Sequence, residues 1–283
     1  MKPNSAEPKA AIPKTLWMLW YQGFDNAPEV VKACHASWVE RNPGWTVNFL
    51  DETNFRDFVA PEFVERPGQR AQARANLIRM TLLTKHGGVW ADATCFCQTP
   101  LDDWLIPQLS SGFFAFERTG SARQIDNWFL ASSPGNYLTT TYAAMSNGYW
   151  RDNPELRRRP KITRYFDKLL AHPSRTKYWF TLPVTKWLKA YPYNWHTFLF
   201  TKLINKDPKA RQIWNDTFRY SVAPPHRLQE AGLLNPLTPE IKREIDSRMV
   251  PLYKLDWRIA KAGIPQGSIL DYILSQTERP REQ

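Results

Sequence analysis

A strand–helix–strand unit near the start of the chain limits the fold more than any other feature of the sequence. Pro13 to Gln22, PKTLWMLWYQ, is an apolar run ending in aromatics, the pattern of a buried first strand. Pro28 then opens a helix predicted to run to about Arg41, with Val30, Val31, Cys34 and Trp38 along one face, and Pro43-Gly44 stops it. A second strand follows in WTVNFLD, where Trp45, Val47 and Phe49 alternate. Two strands joined by one helix at this spacing form a βαβ unit, which argues for an α/β chain with a mostly parallel central sheet flanked by helices.

The next helix is predicted over Ala71 to His86, with Ala71, Ala75, Ile78 and Leu82 as its core stripe. Gln72, Asn76 and Arg79 fall on a neighbouring face, spaced so that they can point at one spot. Gly87-Gly88 ends the helix, because glycine takes a left-handed position at little cost. VWADATCFC then reads as one alternating strand, with Trp90, Asp92, Thr94 and Phe96 on one face and Ala91, Ala93, Cys95 and Cys97 on the other. A lone carboxylate in such a run is costly unless it meets a metal, a hydroxyl or a cation. Arg79 is one candidate cation, so a buried Asp–Arg pair and a functional site are equally open on residue types alone. GFFAFE (Gly112 to Glu117) and NWFLAS (Asn127 to Ser132) read as further strands.

Beyond residue 150 the chain turns helical and basic. Ile162, Tyr165, Phe166, Leu169 and Leu170 form an apolar stripe after Pro160, with Lys161, Arg164 and Lys168 off it. Further helices are predicted over Trp195 to Asn205 and about Gln266 to Gln276. With no internal repeat or low-complexity linker, residues 12–275 read as a single domain, with an α/β part at 12–150, a helical part at 151–275 and flexible tails at 1–11 and 277–283.

The formal charge of +11 is concentrated. From Arg151 to Lys189 there are eleven Lys/Arg against three Asp/Glu, a net +8 that favours phosphates or an anionic membrane face. Tyr165, Phe166, Tyr178, Trp179 and Trp187 interleave with this charge, as in single-stranded nucleic-acid binders. No nucleic-acid-binding signature accompanies them, and no such partner is expected. There are 13 Trp in 283 residues; each is more readily a core residue than a stacking platform, yet the number leaves room for both. Cys34, Cys95 and Cys97 are too few for a structural zinc site and read as buried thiols in a reducing compartment. No apolar run is long enough to span a membrane, and the first residues lack the apolar region of a signal peptide. A cytoplasmic protein, peripheral at the inner face of the membrane, is the expectation.

RANLIRMTLLTKHGGVWADAT resembles a stretch of the capsular polysaccharide synthesis proteins, relatives of glycosyltransferase family 32 and, more distantly, of glucosylating toxins. In that group a helix carrying Ala/Ser-Asp-x-x-Arg leads to Gly-Gly, an aromatic and Asp-x-Asp/Thr. IPKTLWMLWYQG, SWVERNPGWTVNFLDE and PLDDWL are similar to its other segments in order, and NWHTFLFTKLI, PPHRLQ and YKLDW to its C-terminal signatures. The resemblance spans about Ile12 to Leu274.

It implies a GT-A, Rossmann-like fold and a retaining transferase that takes a sugar from a nucleotide sugar, UDP-linked by family habit. Residues 12–150 would then bind the donor and 151–275 face the acceptor, a surface or capsular polysaccharide or a lipid-linked oligosaccharide. A protein acceptor, as in the toxins, is the alternative. By the same resemblance Asp92 contacts a metal or the donor ribose, Asn76 and Arg79 hold sugar hydroxyls, and Trp20, beside Tyr21, stacks the base. A divalent cation, Mn²⁺ or Mg²⁺, would sit on Asp92 and Thr94, with Asp256 as a candidate third ligand. Lys254 would reach the diphosphate, next to Trp257 in the same motif. Two positions depart from the commonest pattern: Asn76 replaces an Asp, and Thr94 replaces the second Asp of the acidic motif. His196 and His226 match family positions, and His196 joins Asp92 and Arg79 as a candidate catalytic residue; Asp126 and Asn127 precede a strand near the presumed sugar pocket.

Overall fold

A computed structural model describes residues 11–60, 69–118 and 120–277. The tails expected at 1–11 and 277–283 lie, apart from Ala11 and Thr277, outside the described residues. In chain order the elements are β1 (Thr15–Leu19), α1 (Glu29–Arg41), β2 (Thr46–Leu50), α2 (Ala71–Lys85), β3 (Gly88–Ala91), β4 (Cys95–Cys97) and α3 (Leu101–Trp104). They continue with β5 (Phe113–Glu117), β6 (Ile125–Ser132), α4 (Tyr137–Arg151), α5 (Pro160–Leu169), α6 (Trp195–Lys206) and α7 (Pro208–Asp216). The last are α8 (Ala223–Ala231), α9 (Pro239–Ser247), β7 (Leu252–Lys254) and α10 (Ile269–Leu274). The fold is mixed α/β. Among the described residues, one compact unit takes those within 14–54, 89–108 and 221–277, and a second those within 11–13, 55–88 and 109–220.

The first of these units holds the βαβ element. β1 pairs in parallel with β2 on one side (Thr15↔Thr46 to Leu19↔Leu50) and with β3 on the other (Leu16↔Val89, Trp17↔Trp90). α1 begins with Glu29 and ends with Arg41, charges that complement its dipole, and buries Val30, Val31, Cys34, Ser37 and Trp38. Its buried face is tied to β4, because Trp38 Nε1 donates to the Cys95 oxygen at 2.8 Å and Cys97 N donates to Ser37 Oγ at 2.8 Å. β4 in turn pairs antiparallel with β7, Cys95 opposite Lys254 and Phe96 opposite Tyr253. All three cysteines are buried free thiols, and burial pushes Cys97 up to about 12.

VWADATCFC is therefore two strands, not the one that its alternation predicts. β3 stops at Ala91, and Cys95 N closes a turn on the Asp92 oxygen at 2.8 Å. The chain leaves the parallel sheet because its next partner is β7: Leu255 N donates to the Thr94 oxygen at 2.8 Å, and a two-stranded ribbon follows. Asp92 sits beyond the end of β3, in the turn.

In the second unit α2 packs against α4 and β6, and α6 against α4 and β6. β5 and β6 are antiparallel, Phe113 opposite Ser132, with an irregularity between Ala115 and Glu117. The predicted stripe of α2 is displaced: Ala71 is exposed and Ala75 half-buried, while Ala73, Asn76, Leu77, Ile78, Arg79, Met80, Leu82 and Leu83 are buried. Neighbours on more than one side bury most of the helix surface, so Asn76 and Arg79 lie inside and Gln72 outside. α5 turns part of its stripe outward, with Tyr165 71% and Leu169 55% exposed. No helix among the described residues is long and apolar enough to cross a membrane.

Candidate functional site

β1 and β3 run in parallel as neighbours, so Trp20, just past β1, and Asp92, just past β3, emerge at the same carboxyl edge. That edge is where open α/β sheets place their ligands. Ten of the 13 Trp are buried; of the remaining three, Trp20 and Trp257 meet here, edge to face with ring centroids 5.2 Å apart. Trp20 Nε1 is buried with no hydrogen-bond partner among the described residues. Lys261 Nζ lies over the Trp257 ring, 4.9 Å from its centroid. Tyr21 is half-buried, and its backbone oxygen accepts from Glu52 N at 3.2 Å.

The Asp92 side chain is half-buried, 34% exposed. Trp90 Nε1 donates to Asp92 Oδ1 at 2.9 Å, and Lys254 Nζ stands 3.8 Å from Oδ2. The same ammonium donates to Thr94 Oγ1, and Thr94 is buried. Gln229 Nε2 holds the Lys254 backbone oxygen at 2.8 Å. Asp256 is occupied differently: it caps the 3₁₀ turn Trp257–Ala262, and Arg258 grips both its oxygens, Nε on Oδ1 at 2.9 Å and Nη2 on Oδ2 at 2.6 Å. The hydrogen bond from Arg258, against a smaller effect of burial, lowers its pKa.

These residues do not fit a divalent cation. Such an ion needs several oxygens turned on one point. Here Asp92 and Thr94 face an ammonium, and Asp256 is spent on a guanidinium. Among the described residues no group of three or more His, Cys, Asp or Glu side chains is placed to hold a metal.

The remaining predicted site residues form their own cluster in the second unit. Asn76 Oδ1 accepts from Arg79 Nη1 and, at 2.9 Å, from Asn127 Nδ2. Asn127 Nδ2 also lies 3.1 Å from His196 Nδ1, and the Tyr142 hydroxyl is 2.8 Å from both that nitrogen and the His196 oxygen. An amide donor at Nδ1 leaves the ring proton on Nε2, which is buried without a partner among the described residues. Burial first, and the Arg79 guanidinium second, hold the His196 pKa far below its ordinary value. Asp126 is buried and bound by Arg118 at 2.6 Å; burial raises its pKa, but Arg118, Arg123 and Trp128 together bring it below the ordinary range. His226 Nδ1 lies 2.9 Å from the Val222 oxygen, an intrahelical contact. Trp90 and Tyr142 were not singled out from sequence as partners; Trp90 alone left a signal, since alternation puts it on the Asp92 face.

A family model described as capsular polysaccharide synthesis protein matches residues 2–273. The chain belongs to that family. It is 27% identical over 191 residues to O-glycosyltransferase braB of Annulohypoxylon truncatum, covering 56% of this chain and 45% of that protein. Over 109 residues it is 28% identical to an uncharacterized glycosyltransferase, L373, of Acanthamoeba polyphaga mimivirus, covering 36% of this chain and 42% of that one. The chain thus spans less than half the length of these curated relatives. Among solved structures it is similar to the PaToxG glycosyltransferase, with 12% identity, a TM-score of 0.44, and coverage of 84% of this chain and 86% of that one.

Proposed function

We propose that this member of the capsular polysaccharide synthesis family is a retaining glycosyltransferase. It moves a sugar from a nucleotide sugar, UDP-linked, to a glycan or lipid-linked glycan. One observation carries the reading: a half-buried tryptophan pair, a part-exposed carboxylate and a lysine meet at the carboxyl edge of parallel strands. Trp20, whose buried indole N–H has no partner among the described residues, stacks the base; Asp92 accepts from a donor hydroxyl; and Lys254 faces the diphosphate as a point charge. Stabilising charge that builds on the leaving diphosphate is the main electrostatic task of such a site. By fold-level analogy the acceptor hydroxyl attacks from the face the diphosphate leaves, and the diphosphate takes its proton.

The basic, aromatic segment around α5 supports an acceptor that is presented at an anionic membrane face. A panel of nucleotide sugars, read by released nucleotide, tests the reaction class. Asp92→Ala is expected to lower turnover by at least 100-fold while the variant stays folded, with a lowered melting temperature because the Lys254 ammonium and Trp90 Nε1 lose their acceptor. Full turnover by that variant, or no release from any donor, would overturn the reading.

A further inference from the structure

We propose that the Lys254 ammonium holds the place at Asp92 and Thr94 that a divalent cation takes in metal-dependent sugar transfer, so that this chain binds its nucleoside diphosphate without metal. The inference rests on the proposed transferase reading. Lys254 is a fixture of the fold. Its backbone lies opposite Cys95 in the β4–β7 ribbon, between the Leu255 N to Thr94 oxygen bond at 2.8 Å and the Gln229 amide at 2.8 Å. Its side chain is 16% exposed, and a lysine so covered must find compensation for the water it loses. It finds it in Asp92 Oδ2 at 3.8 Å and in the Thr94 hydroxyl.

The residue types agree with this placement. A hydroxyl accepts readily from an ammonium but is a weak ligand for a dication, so Thr94 suits the lysine better than the metal. An ammonium already faces this carboxylate, so a dication brought to the same oxygens would stand beside a like charge. Asp256, whose carboxylate could have relieved it, is held by Arg258. In the transfer step the bond from the anomeric carbon to the diphosphate oxygen breaks and its electron pair leaves with that oxygen. A bond from the same carbon to the acceptor oxygen forms, and the acceptor proton passes to the departing diphosphate. Lys254 exchanges no proton in this step and opposes the growing charge.

Two titrations of the full chain test this. Mn²⁺ alone is followed by the electron paramagnetic resonance of the free ion, and UDP by calorimetry in EDTA and in Mn²⁺. Wild type is expected to bind no Mn²⁺ below millimolar concentration and to bind UDP within 3-fold equally in the two conditions. Lys254→Met should bind UDP at least 10-fold more weakly in EDTA and should gain an Mn²⁺ site that Asp92→Asn removes; Lys254→Arg should behave as wild type. An Mn²⁺ site in wild type tighter than millimolar, or UDP binding that needs Mn²⁺, overturns the proposal, and neither result requires that a variant fold. If UDP, GDP, CDP and ADP all fail to bind in either condition, the transferase reading fails, and the Mn²⁺ titration alone still decides what occupies the Asp92 site.

Discussion

His196 is buried as a neutral imidazole among Tyr142, Asn127 and, through Asn76, Arg79. Its pKa is depressed, by burial first and by Arg79 second, so the sign of its effect on stability is fixed. An unfolded histidine takes up a proton at about pH 6.5, whereas the folded chain refuses it until a much lower pH. The unfolded state therefore binds more protons in that window. The contribution of His196 is complete above the unfolded pKa and is lost as pH falls below it, at up to about 1.4 kcal/mol per pH unit. His35, lowered by burial, acts in the same direction, so the comparison needs a variant. His196→Gln is expected to flatten the fall in urea-unfolding stability between about pH 6.5 and 5. Identical slopes for variant and wild type would show that the imidazole is not held neutral.

The turn that closes α2 makes the case at the scale of an element. Gly87 has φ +68°, and a Cβ there would meet Pro134 Cδ at 2.6 Å, Cγ at 2.8 Å and N at 2.9 Å. Both the dihedral and the approach of another loop demand glycine. Gly135 has a similar φ of +67°, but nothing lies within 4 Å of its Cβ position. Gly135→Ala should cost about 1 kcal/mol, the strain of a left-handed residue, and Gly87→Ala about 2–4 kcal/mol, because overpacking adds to the strain. Thermal and urea melts of the pair separate the two contributions, and equal losses would mean that the Pro134 loop yields freely. Gly87-Gly88 was readable as a helix stop from sequence because it depends on local backbone freedom. β1, α1 and β2 were readable for the same reason: their apolar spacing is a local property. The split of VWADATCFC was not, since β7 draws β4 away from across more than 150 residues. Nor was the burial of Asn76 and Arg79, because a helix packed on several sides loses the one-faced stripe that sequence periodicity detects. At the site, Asp92, Lys254 and Trp20 are residue types whose chemistry announces itself, but the ammonium on Thr94 follows from a ribbon register that no short motif encodes.

Over the whole molecule, charge and exposed apolar surface coincide in one stretch of the chain. The segment with net charge +8 also exposes Tyr165, Leu169, Tyr178, Leu182 at 67% and Trp187 at 79%. Large apolar side chains in contact with water, set among lysines and arginines, match an anionic interface into which aromatics can dip while ammonium and guanidinium groups meet headgroup phosphates. Each basic residue near such a surface contributes about 1 kcal/mol, which salt screens. Cosedimentation with phosphatidylserine-containing vesicles is therefore expected at about 0.1 M salt, weakening at least 10-fold at about 1 M as the Debye length falls from about 10 to 3 Å. Lys161, Arg164 and Lys168 are exposed on α5, so their joint replacement by Glu should weaken binding at low salt by a similar factor. Trp187→Ala should reduce whatever binding survives high salt, since that part is apolar. Equal binding to phosphatidylcholine vesicles would remove the electrostatic part of the argument, and binding to neither kind would leave the segment as a solvated basic surface and detach the acceptor from the membrane.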